Sequence, residues 1–267
     1  MRACTAVITE IAFNDSDNEH EKYRAEVHFI SADEWVKELT GMLDDLRDAP
    51  ASPGADNQSS EGNGGISYDK IRAVYPSLTS QEVKNGTFSV ESLMEEPSVK
   101  DILGTVRRIA SSTPEDFLER LKKFIDSKEK TRGRKKEPAA MEFWPLIKVV
   151  KVFVRSPILE SGLVLVDLPG IHDSNAAVAS RYVEQCSGLW VVAPITRAVD
   201  DKAAQTLLDD AFKRDLQFDG TYSRVTVICS KSDDISVTEV VKTMSEGEIA
   251  HQYQDSVGCL ETERRKN

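Results

Sequence analysis

The chain is poor in cysteine, and its cysteines follow no pattern. Cys4, Cys186, Cys229 and Cys259 lie far apart with no CxxC pair, which excludes a zinc ribbon or a dithiol redox motif. Two of them sit in or beside apolar segments and read as small hydrophobes of a reducing compartment. His20, His28, His172 and His251 form no HExxH and no paired array. No apolar run approaches the roughly eighteen residues a membrane span needs. The segment after Met1 soon turns acidic, so no secretory leader is legible. Cationic residues are outnumbered, 34 Lys and Arg against 45 Asp and Glu, for a net charge of −11. That balance argues against general nucleic-acid binding by the whole chain. Together these absences imply a nuclear or cytoplasmic protein, not secreted and without a transmembrane segment.

What is present is the composition of a globular protein, 40% hydrophobic and 30% charged over 267 residues, long enough for one large domain or two smaller ones. Residues 5–13 and 23–30 read as strands, with the polar NDSDNEHE between them as the turn of a hairpin. Ser31 and Glu34 form a capping box, and Trp35, Leu39, Leu43 and Leu46 follow at helical spacing, which predicts a helix over 32–48. Residues 50–66 are too polar and glycine-rich to bury and are expected to be disordered. Helical spacing returns in Val99, Ile102, Val106 and Ile109. Thr113–Pro114 then starts a helix carrying Phe117, Leu121 and Phe124. The charged run 127–138 reads as a solvated linker, with a nuclear-localisation or phosphate-binding patch as its alternative. The three tryptophans, Trp35, Trp144 and Trp190, are expected to pack.

From residue 146 the pattern alternates. Strands are expected at 146–155 and 163–167, joined by a tight connection, then at 188–195 and 224–230. Helices are expected at about 175–187 and 200–216, with a capping box at Ser236 and Glu239 for a last one. Apolar strands alternating with helices predict a mostly parallel sheet covered on both faces. Two strings stand where apolar strands end. VDLPG places Asp167 and Gly170 as DxxG, and CSKSD places Lys231 and Asp233 as KxD after Ser230. Ligands of open α/β sheets are met at such carboxyl ends. A lone carboxylate such as Asp167 suits magnesium, which favours few carboxylates plus phosphate oxygens and water. Glycine at 170 lets a backbone amide approach a phosphate. Asp233 is an acceptor with two oxygens, matching the adjacent N–H donors of guanine but not adenine. Lys231 would lie along the base. No GxxxxGK[ST] phosphate loop occurs anywhere in the chain.

The strings LVLVDLPGIHDSN, VVAPITRAVDDKAAQTLL and VTVICSKSDDIS resemble the GTPase domain of dynamin-superfamily large GTPases, in particular the fungal group similar to the nuclear GTPase SLIP-GC family. The resemblance covers residues 1–13 and about 140–245. It implies an α/β, P-loop-NTPase-like fold, a dynamin-type G domain that is incomplete at the N-terminus and carries a helical insertion. Residues 1–30 and 138–267 would form the partial GTPase domain and 31–137 the insertion. The opening ACTAVITEI is similar to the family's switch I, whose threonine contacts magnesium and the terminal phosphate. That role maps to Thr5, with Thr9 as the weaker candidate. The nucleotide-binding set so implied is Thr5, Asp167, Gly170, Ser230, Lys231 and Asp233, with Thr5 and Asp167 on the metal. The implied cofactor is Mg2+ with GTP in the complete protein, and the implied partners are guanine nucleotide and a second copy through the GTPase domain. Ile171 follows DLPG and cannot orient water. His172 reads as a polar loop residue, Arg197 gains no support as an arginine finger, and no catalytic residue is named.

In this family the phosphate loop lies upstream of switch I, so the chain resembles the downstream piece of a longer protein. A phosphate loop supplies four or five charge-assisted hydrogen bonds, each contributing about 1.5–3 kcal/mol. Micromolar affinity is only about 8 kcal/mol in all. The isolated chain is therefore expected to bind nucleotide poorly. The strand preceding that loop sits beside the strand ending at Asp167, so strands 163–167 and 188–195 should either leave a gap or pair directly. The rival reading is an interaction module whose insertion binds a partner and whose nucleotide site is vestigial.

Overall fold

The computed structural model describes residues 7–48, 63–78, 81–82, 88–125, 141–169, 182–183, 185–196 and 225–234. It divides into two compact units, Met1–Arg181 and Tyr182–Asn267. In the first, strands β1 (Thr9–Phe13), β2 (Tyr23–Phe29), β3 (Val106–Ser111), β4 (Ile147–Val154) and β5 (Leu165–Asp167) form a five-stranded sheet in the order β3-β2-β4-β1-β5. The helices that accompany it include α1 (Ala32–Asp48), α2 (Asn63–Val74), α3 (Val90–Met94), α4 (Pro97–Lys100) and α5 (Pro114–Ile125).

The centre of the sheet is β4. Its sequence IKVVKVFV is nearly continuous in apolar side chains, and Val149, Val150 and Val152 are buried. Such a strand is stable only when flanked on both sides. It is flanked by β1, parallel, and by β2, antiparallel. The expected hairpin of 5–13 with 23–30 is therefore not formed. The polar stretch between them carries the chain across β4 instead of turning tightly. Asn14, fully buried, holds that crossing: its Nδ2 donates to the carbonyls of Glu21 (2.7 Å) and Lys22 (3.1 Å), and its own amide donates to the Val154 carbonyl (3.1 Å).

The sheet is mixed, not mostly parallel. Only β1–β4 is parallel, while β1–β5, β2–β3 and β2–β4 are antiparallel. β4 and β5 do not pair, since β1 lies between them. The inward faces of β2, β3 and β4 (Ala25, Val27, Phe29, Ile109, Val150, Val152) join Trp35 and Leu39 of α1, Ile71 and Val74 of α2, and Phe117 and Leu121 of α5 in one core. The other face mixes charged side chains with buried apolar ones such as Val149. Arg108, Glu26, Lys151 and Glu10 stand in register across four strands, with ion pairs Arg108–Glu26 and Lys151–Glu10 at 3.4 Å.

The capping box is in place: the Glu34 amide donates to Ser31 Oγ (3.2 Å) and the Ser31 amide to Glu34 Oε2 (2.8 Å). Trp35, Leu39 and Leu43 are buried on its helix as the spacing predicts. The helical spacing read over 99–109 is wrong beyond α4. Gly104 takes a left-handed φ of 72°, a conformation that ends a helix and that glycine adopts without a Cβ clash. Val106 and Ile109 then belong to β3, with Ile109 turned inward and Val106 45% exposed. α2 begins at Asn63, inside the stretch expected to be unstructured. The expectations for 50–62 and for the run 127–138 lie outside the described residues, as do those for 200–216 and the last helix, and most of 175–187.

In the second unit, β6 (Leu189–Pro194) and β7 (Val225–Ser230) pair in parallel. Val191 and Ala193 are buried, whereas Val192 and Trp190 are 61% and 66% exposed. Packing is thus confirmed for Trp35 and Trp144 but not for Trp190. Among the described residues β5 hydrogen-bonds only to β1, and β6 only to β7.

Two consequences are measurable. Tyr75 is buried, accepts from Trp35 Nε1 (3.0 Å) and donates to the Leu93 carbonyl (3.1 Å); burial pushes its hydroxyl pKa up to about 12. Tyr75→Phe leaves both partners unsatisfied and should lower urea stability by about 1–3 kcal/mol. Glu34 is held below the ordinary glutamate pKa, chiefly by the hydrogen bond from Lys148 and also by the Ser31 amide. A carboxylate depressed in the folded state stabilises above its unfolded pKa, and that contribution is lost as pH falls through the folded value. Below about pH 4.3, the ordinary glutamate value, the wild type should lose more stability on acidification than Glu34→Gln. At neutral pH this half-exposed pair is worth no more than about 1 kcal/mol.

Candidate functional site

The DxxG string begins where β5 ends. β1 and β5 run antiparallel with Thr9 opposite Asp167, in the transverse row that contains the buried Val27 and Val150. The core thereby fixes the backbone at Asp167 while its side chain stays exposed. Among the described residues no hydrogen bond or ion pair engages the Asp167 carboxylate. Pro169 behind it is buried. Gly170 and Thr5 lie outside the described residues, as do His172 and Arg197. Thr9, the weaker switch threonine, is the one the structure sets beside Asp167.

The KxD string begins where β7 ends, in the second unit. Pro194 of β6 is opposite Ser230 of β7, and the Ile195 amide donates to the Ser230 carbonyl at 2.8 Å. This bond clamps the root of the loop to its neighbouring strand. Lys231 then turns left-handed, with φ 55°, and is the one non-glycine residue with positive φ among the described residues. A short 3-10 turn, Ser232–Asp234, follows, closed by the Asp234 amide on the Lys231 carbonyl (3.1 Å). Ser230, Lys231 and Asp233 are thus gathered in one tight loop at the carboxyl end of a parallel strand, with Lys231 and Asp233 exposed. L-residues avoid this conformation, and where they hold it the strain marks a constrained, often functional, position. Neither the left-handed lysine nor the Ile195 clamp was legible in the sequence. The first has no residue signature, because lysine is not a turn residue. The second joins residues far apart in the chain.

No group of three or more His, Cys, Asp or Glu able to hold a metal ion exists among the described residues. A bare carboxylate at a strand end nevertheless fits magnesium bound mainly through phosphate oxygens and water. No described helix is long and apolar enough to cross a membrane.

Compared with known proteins, the chain is similar to the nuclear GTPase SLIP-GC of Homo sapiens, with 27% identity over 258 residues covering 94% of this chain and 31% of that protein. It is similar to the same protein of Mus musculus at 24% identity over 257 residues, again covering 94% of this chain and 31% of the other. The chain therefore spans about a third of the length of the curated relatives it matches. No protein-family model matches it. Among solved structures it is similar to an oligomerised bacterial dynamin pair, with a TM-score of 0.42 and 12% identity, covering 90% of this chain and 29% of that one. The similarity to the nuclear GTPase SLIP-GC proteins thus runs over nearly the whole of this chain.

The left-handed lysine carries its own test. Lys231→Gly removes a Cβ from a conformation only glycine adopts freely and should stabilise the second unit by about 0.5–1 kcal/mol. Lys231→Val should cost about 1–2 kcal/mol. Urea titrations of the three proteins would reveal the order. A glycine variant less stable than the wild type would show that the lysine side chain itself holds the loop.

Proposed function

We propose that this chain is a segment of a dynamin-like GTPase domain that carries the base-recognition loop and part of the phosphate end of a guanine-nucleotide site. The observation that supports it most is the tight loop Ser230–Asp234, turned by a left-handed Lys231 at the carboxyl end of parallel β7. In this reading the Asp233 carboxylate accepts the two adjacent N–H groups of guanine, a bidentate pair worth about 1–3 kcal/mol of discrimination. The Lys231 stem lies along the base, and the Ser230 hydroxyl stands at its edge. Thr5, Asp167 and the Gly170 amide serve the phosphate end, with Thr5 and Asp167 on the Mg2+ side. Magnesium, when bound with GTP, neutralises charge on the phosphate oxygens and so favours attack by water. No residue of this chain is assigned as catalytic base.

The domain division follows the same reading: 1–30 with 138–267 as the partial GTPase domain, and 31–137 as an insertion that contributes β3 to the sheet. Nuclear residence and self-association through the GTPase domain belong to it as well. Without a GxxxxGK[ST] string the phosphate end is incomplete, and the chain alone should bind GTP weakly and hydrolyse none.

Titration with labelled GTP and magnesium tests the reading in two parts. The full chain should bind with a Kd weaker than about 10 μM; tighter binding would refute the incompleteness of the site. Saturation-transfer NMR at high nucleotide should still show preference for guanine over adenine nucleotides, and Asp233→Ala should abolish it. Equal signals for both nucleotides in the wild type would refute the base site and leave the interaction-module reading.

A further inference from the structure

The two halves of α2 are docked by different chemistry. Its C-terminal half is apolar: Ile71, Val74 and the following Tyr75 lie in the core, and Tyr75 accepts from Trp35 Nε1 at 3.0 Å. Its N-terminal half meets α1 through polar groups. Ser67 is buried and donates to Asp45 Oδ2 at 2.8 Å. Lys70, only 8% exposed, reaches Glu38 at 3.7 Å, too far for a good hydrogen bond. Burial holds the Lys70 ammonium below the ordinary lysine pKa, against the opposing pull of Glu38. A buried hydrogen bond adds little net stability, and a buried ion pair often none. The helix is also weak at this end. Gly64 and Gly65 stand in its first turn, and glycine loses more backbone freedom on becoming helical than any other residue. On α1, Glu38, Met42 and Asp45 follow at i, i+4 and i+7 along one stripe. Lys70 and Ser67 engage the two ends of that stripe, so the buried Met42 lies beneath this half of α2.

We propose that residues 63–70 are a detachable cover, which unwinds from α1 as a unit, pivots at Ile71 and uncovers Met42 between the carboxylates of Glu38 and Asp45. The rest of the core stays folded, because Ile71, Val74 and Tyr75 remain docked. Lys70 sets the ease of opening. Docked, its ammonium exchanges water for one distant partner; released, it is fully hydrated. Glu38 is partly exposed when the cover is closed, so removing the lysine charge strands no buried carboxylate. The opening requires no nucleotide, and it stands whether or not the guanine-nucleotide reading does.

Amide exchange on the full chain reads the opening. Amides 67–74 donate to the carbonyls of residues 63–70 in the closed helix and should exchange by a local route whose rate changes little in low urea. The Tyr75 amide, which donates to the Ile71 carbonyl at 2.8 Å, and the β4 amides should exchange only through global unfolding, which urea accelerates. Lys70→Met keeps an unbranched stem and removes the charge, and it should slow exchange at 67–74 by about tenfold. Hydrogen peroxide transfers one oxygen to an exposed methionine sulfur and leaves as water. It should oxidise Met42 in the wild type and do so about tenfold more slowly in the variant. Should Lys70→Met fail to fold, the wild-type exchange pattern decides alone. Exchange at 67–74 as slow and as urea-dependent as at Tyr75 would overturn the proposal. So would exchange or Met42 oxidation that folded Lys70→Met leaves unchanged or accelerates.

Discussion

Pairing of β4 on both sides is the constraint from which the first unit follows. Val150, fully buried, aligns with Val27 of β2 and with Thr9 of β1. Through β1 the same row reaches Asp167 of β5. A slip of one residue would turn every inward valine outward, so the core that fixes β4 also fixes where the DxxG string starts. The backbone at 167 is held in place by hydrophobic burial on β4 and β2, and among the described residues no polar group engages its carboxylate.

The second unit solves a different problem. Its two parallel strands fix the root of the KxD loop through the Ile195–Ser230 backbone bond, and the loop then takes a conformation its lysine does not favour. Local strain of this kind persists only where the surroundings over-determine it. A loop held rigid in this way has little further entropy to lose on binding any ligand.

Much of the local structure was legible. The Ser31–Glu34 box, the α1 stripe from Trp35 to Leu43, the start of α5 at Pro114, and all four strands from 147 to 230 appear where periodicity put them. The misreadings share one cause. Val99, Ile102, Val106 and Ile109 fit a helix in spacing, but Gly104 breaks it and the β2 edge recruits the second half as β3. Residues 9–13 and 23–29 fit a hairpin, but both find a better partner in β4, more than a hundred residues on. Trp190 was expected to pack and stands exposed.

By itself the sequence determined where strands end in polar loops, which carboxylates and lysine stand there, and which known proteins its strings resemble. Those properties reside in short strings and need no knowledge of distant neighbours. Only the tertiary structure decided the strand order, the mixed direction of the sheet, the placement of Thr9 opposite Asp167 and the left-handed turn at Lys231. Each depends on backbone hydrogen bonds or burial shared between segments remote in the chain, and such pairings are chosen by the free energy of the whole core, not by any residue's own preference.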